Sequence, residues 1–73
     1  MRGTKRESFG RRLSSLREER GLSLEELSRE TGYPVEVLRD VEEDAVAPPV
    51  ALVLQLGKTF KIDIEGLASG REN

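Results

Sequence analysis

Residues 23–42 read SLEELSRETGYPVEVLRDVE, and the fold turns on how they are parsed. Ser23 followed three positions later by Glu26 is an S-x-x-E capping box, which predicts a helix start. Leu24, Leu27 and Ser28 share one face of that helix, and Gly32 stands where a left-handed C-terminal cap is wanted. Val35, Leu38, Val41 and Glu42 then recur at spacings of three and four, which predicts a second helix of about two turns. The joint between them, Thr31-Gly32-Tyr33-Pro34, is too tight for the helices to lie antiparallel. Two short helices crossing steeply through a Gly-containing turn make a helix-turn-helix unit. Such a unit cannot bury its own apolar face, so the flanks must complete a core.

The flanks are helical too. Ser8 can cap a helix reaching to about Arg20, with Phe9, Leu13 and Leu16 on one apolar stripe and Gly21 ending it. Leu22, just ahead of the next cap, is placed to act as a hydrophobic staple or to fill core. Residues 44–49 read as a loop, and Pro48-Pro49 suit the entry of a further helix over residues 50–60. Val53, Leu56, Gly57 and Phe60 lie on one face of it, with Leu52 flanking. Gly57 inside a helix costs about 1 kcal/mol against Ala and is tolerable where another helix crosses closely. Asp63 can cap a last short helix carrying Ile64 and Leu67. The expectation is an all-α, compact five-helix domain over residues 8–67. Before it stands a basic segment, residues 1–7, read either as an ordinary chain end or as an arm that touches phosphates. After it comes a polar tail, residues 68–73, which would suit a linker to a further module.

The totals bound what this domain can be. Seventy-three residues allow one small domain, near the lower end of what folds unaided. There is no cysteine and no histidine, which removes disulfides, the usual zinc ligands and the common nucleophile–base pairs, so apolar packing must hold the fold. The acidic pairs Glu18/Glu19, Glu25/Glu26 and Glu42/Glu43 are adjacent in sequence. Neighbouring helix residues point about 100° apart, so these pairs read as solvated faces and not as acid–base dyads. No catalytic residue, cofactor or metal site is expected. The longest apolar run, residues 50–54, is far short of the roughly 20 residues a membrane span needs. No signal-peptide core follows the basic amino terminus. Together with the lack of cysteine, this predicts a cytoplasmic protein.

With that pattern laid out, residues 9–67 resemble the lambda-repressor/Cro-like, or Xre-type, helix-turn-helix family. The resemblance runs through FGRRLSSLREERGLSLEELSRETG, VEVLRDVEED and APPVALVLQLGKTFKIDIEGL, with the family's helix order, its turns at Gly21 and Gly32 and its core positions at Leu27, Leu38 and Val41. It implies that Arg17 and Glu42 form a buried ion pair tying the first helix to the end of the third; read without it, they are two surface charges. It further implies double-stranded DNA as partner, with the third helix in the major groove and the second bracing it over the backbone. Carried over by position, Val35, Glu36, Arg39 and Asp40 become base-reading candidates. Ser23 and Leu24 become phosphate candidates, as does the loop at Ala45 and Val46. A homodimer on paired half-sites is implied as well, and Ile62, Ile64 and Leu67 are available either for that contact or for the core.

The charge distribution pulls against part of this. Residues 1–20 carry seven basic and three acidic side chains, residues 21–44 two and eight, and residues 45–73 three of each, giving a total of −2. Relatives usually place Gln at the position of Leu24, Ser or Thr at Pro34, Gly at Asp44, and basic or polar residues at Ala45 and Val46. Here the third helix and its exit bring Glu36, Asp40, Glu43 and Asp44. Arg2, Lys5, Arg6, Arg11 and Arg12 can offset that charge at DNA phosphates if they lie on the same side. Two functions therefore stand: a sequence-specific DNA-binding regulator, and a protein–protein interaction module that uses the acidic face.

Overall fold

The computed structural model describes residues 8–62, which form four helices and no strand: α1 (Phe9–Glu19), α2 (Leu24–Thr31), α3 (Val35–Glu42) and α4 (Val50–Phe60). The described residues are all-α, as expected. Of the five expected helices four are seen. The fifth, expected from Asp63 through Leu67, lies outside the described residues, as do the segments 1–7 and 68–73.

Local chemistry sets the helix ends. Ser8 caps α1, its hydroxyl accepting from the Arg11 amide at 3.1 Å. Ser23 caps α2 in a complete capping box: its hydroxyl accepts from the Glu26 amide at 3.0 Å, and Glu26 Oε1 accepts from the Ser23 amide at 2.8 Å. Gly32 closes α2 at φ 83°, a conformation a residue with a Cβ adopts only at a cost, and its amide bonds to the Ser28 carbonyl at 2.8 Å. Side chains then lock the turn. Ser28 Oγ donates to the Tyr33 carbonyl at 2.6 Å, while buried Thr31 donates to the Leu27 carbonyl at 2.9 Å and accepts from the Tyr33 amide at 3.2 Å. The joint between α2 and α3 is therefore a hydrogen-bonded unit with a fixed geometry.

The core is built from one to three residues of each helix. Leu13, Leu27, Leu38, Val41, Leu52, Leu56 and Phe60 are each at most 1% exposed. Phe9, Leu16, Leu22, Leu24, Tyr33, Val37, Val53 and Ile62 pack around them. A fully buried side chain of this kind stabilises by about 1.5–3 kcal/mol, which is how a domain with no covalent staple stays folded. On α4 the expectation needs correction: Leu52 lies in the core, not on its flank, and Val53 is the half-buried neighbour. Leu52, Leu56 and Phe60 recur every four residues, drifting only about 40° per step around the helix. Val53 lies about 20° beyond Phe60 around the helix, at the edge of the same stripe, so periodicity alone does not rank it against Leu52.

Arg20 closes the far end of α4. Its Nη2 donates to the Phe60 carbonyl at 3.0 Å, and its guanidinium carbon sits 5.0 Å from the centroid of the Phe60 ring. A cation at a helix C-terminus also meets the negative end of the helix dipole.

Candidate nucleic-acid interface

With Leu38 and Val41 turned inward, the 100° step of a helix carries Glu36, Arg39, Asp40 and Glu43 to the outside, and all four are exposed. Val35, the first residue of α3, is half-buried at the edge of that face. Among the described residues no ion pair or side-chain hydrogen bond engages Glu36, Arg39 or Asp40, so these three are available to a ligand.

Glu42 belongs to the other side of α3. It meets Arg17 of α1 through two parallel contacts, Nε to Oε2 at 2.7 Å and Nη2 to Oε1 at 3.1 Å. The Arg17 Nη1 group also donates to the Leu22 carbonyl at 2.8 Å. The two side chains are 15% and 8% exposed, so the implied ion pair is present and largely buried. The hydrogen bond to Glu42 holds the Arg17 guanidinium above its ordinary value, against the opposing pull of burial.

Asp44 also leaves the acidic face, for a different reason. Its backbone takes φ 61°, and its carboxylate folds back onto the start of α1. Oδ2 accepts from Ser8 Oγ at 2.6 Å and Oδ1 from the Gly10 amide at 3.1 Å. The first turn of α1 carries no acidic residue of its own, so Asp44 supplies the negative charge that a helix N-terminus favours. The signal for this was a position where relatives carry Gly, since Gly marks a positive φ that Asp tolerates better than most residues. The clasp seats the beginning of α1 against the exit of α3. Asp44→Ala is expected to cost about 2 kcal/mol, through the lost cap and an Ala held at positive φ, and Asp44→Asn less than about 1 kcal/mol. Urea unfolding of the two variants checks this, and equal losses would count against the clasp.

The remaining candidates sort by burial. Arg11 is exposed on the first turn of α1, whereas Arg12 is half-buried. Ser23 is exposed at the start of α2, with one acceptor lone pair occupied by the capping box and its hydroxyl proton left to donate. The Leu24 side chain packs on the core, leaving its backbone amide as the group able to meet a phosphate. Ala45 and Val46 are exposed in the loop after α3. Arg2, Lys5 and Arg6 lie outside the described residues. Among the described residues no cluster of three or more acidic groups is arranged to hold a metal ion, and no helix is long and apolar enough to cross a membrane.

The sequence profile of a family described as "Helix-turn-helix domain" matches residues 8–69. The restriction-modification controller protein C.AhdI from Aeromonas hydrophila is similar in structure with a TM-score of 0.76 and 30% identity, over 81% of this chain and 89% of that one. The P22 c2 repressor, solved in complex with synthetic operator 9T, has a TM-score of 0.82 at 18% identity, over 89% of this chain and 98% of that one. A search of curated protein sequences gave no match. By the profile match and the similarity to C.AhdI, the chain belongs to the helix-turn-helix domain family, in its lambda-repressor/Xre-like form.

Proposed function

We infer that this chain is a sequence-specific DNA-binding transcriptional regulator, or the DNA-binding domain of one, that places α3 in the major groove of double-stranded DNA in the cytoplasm. The observation that carries this is the geometry of α3: a short helix fixed by a hydrogen-bonded turn and a buried ion pair, whose outward Glu36, Arg39 and Asp40 are left unengaged. The family membership and the operator complex of the P22 c2 repressor support the same reading.

Phosphate attraction supplies much of the affinity for DNA, and Glu36, Asp40 and Glu43 work against it. The Asp44 clasp bears on how this is offset. It holds the start of α1, with Arg11, at the exit of α3, and the basic residues Arg2, Lys5 and Arg6 precede that point in the chain. On this reading Arg2, Lys5, Arg6, Arg11 and Arg12 carry the phosphate contacts, helped by Ser23 and the Leu24 amide. Binding to a random duplex, followed by fluorescence anisotropy, is expected to weaken steeply as salt rises. Replacing Arg2, Lys5 and Arg6 together by Ala is expected to reduce the log–log salt slope by about 3. No binding by the full chain at low salt would overturn the reading, and would leave the acidic α3 face to a protein partner.

A homodimer fits paired half-sites, and of the three residues the sequence offers either for that contact or for the core, one lies among the described residues. Ile62 packs against the monomer core, and Ile64 and Leu67 lie outside the described residues. Exposed apolar area is found instead at Val46, Val50 and Leu54, which are 45%, 75% and 49% exposed. Val50→Lys is expected to shift the sedimentation-average mass toward that of the 8.2 kDa chain and to leave helical content unchanged. A dimer unaffected by this change would place the contact elsewhere.

A further inference from the structure

We propose that α3 reads two consecutive G·C pairs, with Glu36 and Asp40 each accepting from a cytosine N4 amino group and Arg39 donating to a guanine. This rests on the DNA-binding reading above and specifies its target.

Spacing sets the first limit. Arg39 is three residues and Asp40 four residues after Glu36, so the three side chains lie within an arc of about 100° on one helix face. Glu36 and Asp40 are about 6 Å apart along the helix axis, less than two base-pair steps of roughly 3.4 Å. One face of α3 therefore addresses about two neighbouring base pairs, with both carboxylates and the guanidinium aimed at the same short stretch.

Chemistry then selects the bases. An ionised carboxylate only accepts hydrogen bonds. In the major groove the donors are the cytosine N4 and adenine N6 amino groups, while guanine O6 and N7 and thymine O4 are acceptors that repel a carboxylate. Adenine N6 sits beside the acceptor N7, which also faces the groove; cytosine N4 has no such neighbour on its own base. Two carboxylates within two base steps thus favour cytosine and penalise the alternatives. Arg39 has five donors and no acceptor, and its fork matches the O6 and N7 of the guanine paired to such a cytosine or next to it. Glu42 and Asp44 take no part, since the first is held by Arg17 and the second by Ser8 and Gly10. The acidity that weakens phosphate contact is, on this account, what discriminates between bases.

Selection of full-length protein on randomised duplexes tests this. The expected consensus has two adjacent G·C pairs in each half-site. Placing N4-methylcytosine at the selected cytosines is the sharper probe. The methylated base keeps its pairing hydrogen only by turning the methyl into the major groove, which removes the donor. Each such substitution is expected to weaken binding by about 5- to 100-fold. Glu36→Gln should change the preference at its own position toward adenine, whose N6 and N7 match an amide, while also binding random DNA more tightly because a repelling charge is gone. Wild-type protein that binds DNA but selects A·T pairs there, or a Glu36→Gln variant with unchanged preference at every position, would overturn the inference and leave the DNA-binding reading standing. Absence of DNA binding at low salt overturns both.

Discussion

Glu42→Ala is expected to lower the folding free energy by about 3–5 kcal/mol, the usual loss when one partner of a buried ion pair is removed. The size follows from what is left behind. Arg17 is 15% exposed and gives two of its hydrogen bonds to Glu42, so the variant leaves a largely buried guanidinium with the Leu22 carbonyl as its one remaining hydrogen-bond acceptor and the exposed Glu18 carboxylate 4.0 Å away. A domain of this length has a total stability of only about 4–11 kcal/mol, so the change takes a large share of it. Thermal or urea unfolding followed by circular dichroism measures the loss, and a drop below about 1 kcal/mol would mean that the pair behaves as solvated surface charge. The double variant Arg17→Met with Glu42→Leu separates the two costs. If the penalty is mainly the orphaned charge, the apolar pair recovers most of the stability. The pH dependence has a definite sign. Arg17 is raised in the folded protein, so its contribution is fully present below its unfolded value and is lost only as pH climbs through the still higher folded value. Alkaline conditions short of that range are expected to leave the Arg17 contribution intact.

What could be read from the sequence, and what could not, divides by distance along the chain. The caps at Ser8 and Ser23 and the turn at Gly32 were legible because their partners lie within five residues, as the Ser23–Glu26 box and the Ser28–Tyr33 bond show. Leu27, Leu38 and Val41 were legible as core because helical periodicity leaves them no other face. Arg17 and Glu42 are 25 residues apart, and only resemblance to a family joined them. The Asp44 clasp and the Arg20–Phe60 contact span 34 to 40 residues and carry no periodic signal, so periodicity reveals neither. The candidate site shows the same split. The exposure of Glu36, Arg39 and Asp40 follows from the pattern of α3, whereas the charge of Asp44 groups it with the acidic face and its positive φ, marked in sequence only by the Gly of relatives, takes it away.

Gly10→Ala is the second large effect, and it comes from a residue that looks unremarkable in sequence. Gly10 lies in the first turn of α1, where Ala would ordinarily stabilise a helix by about 1 kcal/mol. Here a Cβ would meet the backbone carbonyl of Val41, and would stand 2.5 Å from the carbonyl oxygen of Glu42 and 2.6 Å from Asp44 Oδ1. Two of these three atoms are backbone at the end of α3, so no side-chain rotation relieves the contact. Either α1 moves off α3, which lengthens the Arg17–Glu42 and Asp44–Gly10 bonds, or the exit of α3 distorts. Overpacking of this kind costs about 1–3 kcal/mol, and the fixed backbone puts this case near the upper end. The helix-propensity gain offsets only part of it, so a net loss of about 2 kcal/mol is expected in urea unfolding. Because the strain falls where α1 is seated against α3, DNA affinity is expected to fall as well, even at temperatures where the variant is fully folded. A Gly10→Ala protein as stable as the parent would show that α1 and α3 are not in this close contact, and would remove the clasp as the device that seats the start of α1 at the exit of α3.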